Sequence, residues 1–155
     1  MKGENMAAQT FKKIIDFAIK REEEAIQTYG NYARKAKSPG LKKLLIELQG
    51  EEKNHKKLLQ SLTAKKIGAL EIKEVTDLKI SDYLVEEKPS AEMNFQDVLI
   101  LAAKKEQKAA KLYADLKKKA KTPDLKTLFE FLFQQEKSHK LKLEEMYEKH
   151  VMKWD

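Results

Sequence analysis

The sequence contains an internal repeat at a fixed offset of 84 residues. Aligned without a gap, residues 10–60 and 94–144 share 19 identities in 51 positions. The repeat preserves apolar residues and, at the same spacing in each copy, a set of polar ones: Glu22, Tyr29, Glu52 and His55 in the first copy, and Glu106, Tyr113, Glu136 and His139 in the second. Any fold for this chain must therefore bring together two units of similar structure.

The spacing of apolar residues predicts four long helices, two in each copy. In each copy the apolar residues and the repeated polar ones recur every three or four residues, as on the buried face of a helix in a bundle. In the first helix they are Phe11, Ile15, Ala18, Glu22, Ala25, Tyr29, Tyr32 and Ala36. Each repeated Glu and His falls on such a face. A composition with five Gly, three Pro and 37% charged residues also favours long helices over strands.

Polar residues mark where these helices begin. Thr10 and Asn94 are candidate N-caps, and the pairs Ser38-Pro39 and Thr122-Pro123 each place a capping hydroxyl before a proline at the first helical position. Consecutive helices in each copy are then joined by a tight turn. Each copy is therefore predicted to be an antiparallel helical hairpin.

The segment between the copies lacks the helical pattern. We interpret it as a crossover with a short helix near Ser81–Leu84, long enough to run back along a bundle helix. Two like hairpins could then pack about a pseudo-two-fold axis. We expect one all-α domain over residues 1–155, a four-helix bundle with repeat 1 at about 10–65, the crossover at about 66–93 and repeat 2 at about 94–150.

The repeated polar residues form a candidate metal site. Residues i and i+3 share a helix face, so Glu52 and His55 point the same way, as do their equivalents in the second copy. Glu22 lies about as far before Pro39 as His55 lies after it, which places both at one level of the bundle. Six ligands are predicted to converge: Glu22, Glu52, His55, Glu106, Glu136 and His139.

Charge balance favours two divalent cations at this site. Four buried carboxylates without counter-charges would carry a large desolvation penalty. Two divalent ions cancel the four negative charges, and mixed carboxylate and imidazole ligands suit iron or manganese. The sequence has no cysteine, which excludes thiolate zinc sites and cysteine-held iron–sulfur centres in this chain. Electrons for a redox reaction would have to come from a separate donor protein.

This pattern resembles the ferritin-like di-iron carboxylate proteins, most closely the rubrerythrin group. The resemblance covers about residues 10–150 and implies a ferritin-like bundle that holds two iron ions, with manganese or zinc as substitutes. It implies that the six converging residues are metal ligands, with Glu52 and Glu136 bridging the two ions. It also implies that Tyr29 and Tyr113 are catalytic-site tyrosines that hydrogen-bond the ligands. A homodimer that reacts with peroxide or dioxygen is expected.

Two departures from the rubrerythrin pattern matter. The rubredoxin-type iron–sulfur domain is absent, because the sequence has no cysteine. Rubrerythrins also carry an additional Glu one turn along the third helix, where this chain has Ala109 and Ala110. The resemblance therefore implies a site of six ligands, as in simpler rubrerythrin-related oxidases, and slower reaction with peroxide.

Three functions are compatible with these residues. The first, which we favour, is a redox enzyme of the peroxidase or oxidase type. The second is iron handling, in which the same centre oxidises ferrous ions for storage or transfer. The third is a non-enzymatic metal-binding bundle, such as a basic nucleic-acid-binding relative of the ferritins. The formal charge of +7 comes from lysines spread over all helices and interleaved with Glu, so we expect a solvated surface and no nucleic-acid partner.

The apolar segments give a simple expectation for location. No signal-peptide core follows the polar N-terminus, and no apolar run approaches the ~18–20 residues of a membrane span. We therefore expect a cytoplasmic protein without a membrane partner.

Overall fold

Four long helices make up most of the chain. The computed structural model describes residues 2–64, 78–85 and 94–151. The helices are α1 (Lys2–Lys35), α2 (Pro39–Ala64), α3 (Phe95–Lys119) and α4 (Pro123–Val151), with a short 3-10 helix at Ile80–Tyr83. Every regular element in the described ranges is helical, which confirms the all-α prediction. Most of the predicted crossover lies outside the described residues.

The predicted helix starts are correct in three cases out of four. The side chain of Asn94 accepts a hydrogen bond from the amide of Asp97 at 2.8 Å and caps α3. Ser38 Oγ and Thr122 Oγ1 accept from the amides of Leu41 and Leu125, so α2 and α4 begin at their prolines as expected.

The prediction that Thr10 caps α1 is wrong, because α1 already begins at Lys2. Ala7, Ala8 and Gln9 are good helix formers, so the helix continues back through Thr10.

The two hairpins lie in opposite directions, so that each end of the bundle is built from all four helices. One apolar cluster surrounds the turn between α3 and α4 and contains Phe11, Leu59, Leu112 and Phe129. The other surrounds the turn between α1 and α2 and contains Tyr32, Leu45, Leu99 and Leu143. The middle of the bundle therefore lies between two layers of packed apolar side chains.

The crossover is attached to the bundle by its short helix. Tyr83 is 5% exposed and packs into the cluster near the α3–α4 turn, and its hydroxyl donates to Asp115 of α3 at 2.7 Å. The short helix predicted near Ser81–Leu84 is thus confirmed at Ile80–Tyr83. In the described part of the chain, no helix combines the length and the apolarity that crossing a lipid bilayer requires.

Candidate metal centre

Six polar side chains are buried in the middle of the bundle, between the two apolar clusters. Each helix contributes one carboxylate, and α2 and α4 each add one imidazole. The six are at most 1% exposed: Glu22, Glu52, His55, Glu106, Glu136 and His139. The structure thus brings together all the residues for which the sequence predicts metal binding. Their role as ligands stays a prediction at this point.

Four of these side chains point into one small volume. His55 Nδ1 lies 2.9 Å from Glu52 Oε1 and 2.9 Å from Glu136 Oε1. His139 Nδ1 lies 3.3 Å from Glu52 Oε1, and the two imidazole rings stack with centroids 5.5 Å apart. One nitrogen or oxygen from each of the four lies within 4.8 Å of the others. Glu22 and Glu106 flank this group, with contacts of 3.8 and 3.5 Å to the nearer histidine Nδ1.

The two repeated tyrosines bind the flanking carboxylates, and they do so across the repeats. The Tyr29 hydroxyl donates to Glu106 Oε1 at 2.6 Å, and the Tyr113 hydroxyl donates to Glu22 Oε1 at 2.7 Å. Burial, followed by the negative charge of its Glu partner, raises the pKa of each phenol well above its ordinary value. Both tyrosines therefore stay protonated and orient one oxygen of a carboxylate each.

The outer nitrogen of each histidine has a partner from the opposite hairpin. His55 Nε2 lies 3.3 Å from Gln135 Oε1, and His139 Nε2 makes a close contact with the carboxylate of Glu51. When Nε2 donates in these contacts, Nδ1 presents its lone pair to the interior, as a metal ligand requires. The side chain of Glu51 is 31% exposed and reaches inward to His139.

Arg21 places a positive charge at the centre, which the sequence analysis did not foresee. Its Nη1 lies 3.4 Å from Glu22 and 3.2 Å from Glu52. Its Nη2 lies 3.4 Å from Glu106 and makes a close ion pair with Glu136. The guanidinium is thus in contact with one carboxylate from every helix.

The pKa values show how the protein alone distributes charge here. Burial, then the charges of Glu106 and Glu22, raises the pKa of Glu52 and of Glu136 well above the ordinary carboxyl value. Burial alone would raise the pKa of Glu106, but Arg21 and His139 outweigh it and lower that pKa to about 2. Burial would lower the pKa of His139, but Glu106, Glu136 and Glu51 raise it to about 9. Protons on Glu52, Glu136 and His139 therefore supplement the single arginine in balancing the charge.

Orphaned atoms indicate what the centre is built to hold. Among the described residues, seven buried side-chain nitrogens and oxygens lack a hydrogen-bond partner. One is Arg21 Nε, and each of the six predicted ligands supplies one of the others: Glu22 Oε2, Glu52 Oε1, His55 Nδ1, Glu106 Oε2, Glu136 Oε1 and His139 Nδ1. Buried polar atoms normally have partners, so six unmatched lone-pair donors, four in one small volume and two beside it, fit metal cations. A mixed oxygen and nitrogen set of this kind suits iron or manganese.

Three residues of the centre had been missed: Arg21, Glu51 and Gln135. A signal for Arg21 was present, because only two of the 32 basic residues are arginine, and arginine is the basic residue suited to buried carboxylate pairs. Glu51 and Gln135 each directly precede a predicted ligand Glu and occupy equivalent positions in the repeat. In a chain so rich in charged residues, that position alone did not separate them from the surface.

Comparisons with known proteins agree with this geometry. The rubrerythrin family model matches residues 13–148. A solved structure of a hypothetical protein from Pyrococcus furiosus is similar, with a TM-score of 0.70 and 29% sequence identity, over 92% of this chain and 90% of that chain. No match was found among the curated proteins. The bundle is thus ferritin-like, as the sequence predicted.

Proposed function

The chain belongs to the rubrerythrin family, and we propose that it is a di-iron protein whose centre reduces hydrogen peroxide or dioxygen. The single observation that carries this proposal is the buried cluster of six unpartnered candidate ligand atoms, four of them facing one small volume and two flanking it. Two ferrous ions bound there would supply two electrons, which with two protons convert hydrogen peroxide to two molecules of water, or dioxygen to one molecule of hydrogen peroxide.

The residues would divide the work of holding two ions. Glu52 and Glu136, one from each hairpin, would bridge the ions, and His55 and His139 would each bind one of them through Nδ1. Glu22 and Glu106 would complete the set through the oxygen that the tyrosines leave unbound. Because the tyrosines and the histidine partners already fix the outer atoms of Glu22, Glu106 and the two histidines, these four side chains need little reorganisation on binding.

The surroundings favour controlled reaction with a small oxidant. The apolar clusters above and below the centre exclude bulk water. A cavity of about 30 Å³ between α1 and α3 is lined by Arg21, Tyr29 and Glu106 and lies beside the carboxylates. This volume is large enough to admit a small molecule such as water.

Two features of the sequence refine the proposal. No cysteine is present to hold an electron relay, so turnover would require an external electron donor. The place where rubrerythrins carry an additional Glu holds Ala109 and Ala110, both buried. We therefore propose slower peroxide reduction than in a protein with that Glu.

The proposal is tested by stopped-flow oxidation of the protein after anaerobic loading with ferrous ions. We expect hydrogen peroxide or dioxygen to oxidise the loaded protein faster than it oxidises the same concentration of free iron. The matched control is Glu136→Ala, which removes one bridging carboxylate and should react no faster than free iron. Equal rates for the native protein, the variant and free iron would overturn the redox proposal.

A further inference from the structure

Arg21 holds the same oxygen atoms that two metal ions would need. Its guanidinium contacts Oε2 of both Glu52 and Glu136, while Oε1 of each is left without a partner. A carboxylate that bridges two ions uses one oxygen for each. With Arg21 in this position, the two candidate bridging residues have only Oε1 to offer.

The atoms that remain available are sufficient for one ion. Oε1 of Glu52 and Glu136 and Nδ1 of His55 and His139 all face the same volume. These two oxygens and two nitrogens make a four-ligand set. One divalent ion can therefore bind without any movement of the guanidinium, and it would give up one of the two histidines when a second ion binds.

Charge gives the same result as geometry. The four carboxylates carry four negative charges when ionised, which two divalent ions would balance. One divalent ion together with Arg21 supplies three positive charges, which balance most of this negative charge. Two divalent ions and Arg21 would leave an excess positive charge in a buried site, which is costly.

We propose that Arg21 competes with the second of two metal ions for Glu52 and Glu136, so that the centre fills in two unequal steps. The first ion binds with the guanidinium in place. The second binds only when the guanidinium leaves the carboxylates. The inference rests on the proposed function in one respect, namely that the six-residue cluster binds metal.

The structure provides a place to which Arg21 can move. Its side chain is 11% exposed and lines a groove of about 190 Å³ formed with Lys20, Glu24 and Tyr83. Glu24 is exposed and lies three residues after Arg21 on the same helix, within reach of an i,i+3 ion pair. A change of side-chain rotamer would therefore transfer the guanidinium from the buried carboxylates to a surface carboxylate.

The test is a titration of the metal-free protein with cobalt(II), in which binding is measured by calorimetry and by visible absorbance. We expect the native protein to bind two ions in separate steps, the second weaker. Arg21→Gln should tighten the second step by roughly 10- to 100-fold, the range expected when a hydrogen-bonded charged group no longer competes. Arg34→Gln is the matched control, because it makes the same substitution at the other arginine of the sequence, on the exposed surface of α1. It should leave both steps unchanged.

The outcomes separate this inference from the proposed function. Two ions bound with equal affinity by the native protein, or an unchanged second step in Arg21→Gln, would overturn the role of Arg21 and leave the metal site standing. No cobalt bound by either protein would overturn both. Should Arg21→Gln fail to fold without metal, Arg21→Lys replaces it, since one ammonium group cannot hold both Oε2 atoms as a guanidinium does. A tightened second step there supports the proposal, and an unchanged one contradicts it.

Discussion

The two hairpins supply the same candidate ligands but different surroundings for them. In the α1–α2 hairpin, Glu51 precedes the candidate ligand Glu52 and contacts His139 of the other hairpin. In the α3–α4 hairpin the equivalent residue is Gln135, which binds His55. One imidazole is thus supported by a carboxylate and the other by a neutral amide. A carboxylate partner makes an imidazole a stronger metal ligand, so the two halves of the centre are chemically unequal.

The inequality extends beyond the histidine partners. The rings of His55 and Phe131 are nearly perpendicular, with centroids 6.2 Å apart. The residue equivalent to Phe131 in the first hairpin is Glu47, which accepts a hydrogen bond from Lys142. Arg21, at the centre, corresponds to Lys105 in the second hairpin. The repeat has therefore kept the six candidate ligands and changed residues that contact or surround them.

The largest effect should come from breaking the part that the hairpins share. Glu52→Ala and Glu136→Ala remove equivalent residues, and each should abolish binding of both ions because each carboxylate would bridge them. His55→Ala should instead weaken mainly one ion. Metal content per chain, measured by elemental analysis after loading with iron, distinguishes these results. Retention of two ions in Glu136→Ala would show that the bridging assignment is wrong.

An intermediate effect is expected from exchanging the outer partners of the histidines. Glu51→Gln should weaken binding of the ion at His139 by about 10- to 100-fold, as is typical when such a partner of a metal-binding His is lost. Gln135→Glu should strengthen binding of the ion at His55. In the cobalt(II) protein, the shifted proton NMR signals of the two imidazole N–H groups should become more alike in either single variant.

The double variant Glu51→Gln with Gln135→Glu provides the control for this exchange. It restores one carboxylate and one amide but reverses their places, so the stronger and weaker positions should also reverse. Unchanged affinities in all three variants would mean that the difference between the hairpins does not reach the metal.

The smallest effect concerns stability without metal and its dependence on pH. The raised pKa values of Glu52, Glu136 and His139 mean that the folded protein binds extra protons, so their contributions are lost as pH rises. The contribution of His139 to stability is lost between pH 6.5 and about pH 9, because its pKa rises from 6.5 to about 9 on folding. Folding lowers the pKa of Glu106, so its contribution to stability is instead lost as pH falls from 4.5 to about 2. The melting temperature of the metal-free protein should therefore fall from mildly acidic pH to about 9.

The metal-loaded protein supplies the comparison for this pH series. Metal binds the deprotonated ligands and stabilises only the folded state, so the gap between loaded and metal-free melting temperatures should widen as pH rises. Scanning calorimetry of both forms across this range measures the gap. A constant gap would argue that the buried groups do not exchange protons for metal.

The sequence was sufficient for the helices and for the six inward-facing residues, because burial and ligand geometry both impose a helical spacing. Glu22 and Glu106 could be placed at the level of the histidines by counting from the prolines. The position of Arg21 could not be predicted in this way. It directly precedes Glu22, and because successive residues of a helix are rotated by about 100°, its backbone position lies off the buried face. Its guanidinium reaches the centre because the side chain is long. The contacts of Glu51 and Gln135 could not be predicted either, because they depend on the distance between helices of different hairpins.

The crossed hydrogen bonds also have a consequence for the order of folding. The tyrosine contacts join residues 77 and 91 positions apart, and the histidine contacts join residues 80 and 88 apart. Within each hairpin, by contrast, the helices meet across a short turn and can associate early, because closing a short loop costs less entropy. We therefore expect each hairpin to form first and the centre to assemble last. The contacts of Tyr29 with Glu106 and of His139 with Glu51 can form only after the two hairpins have docked in register. The centre is therefore complete only in the native state.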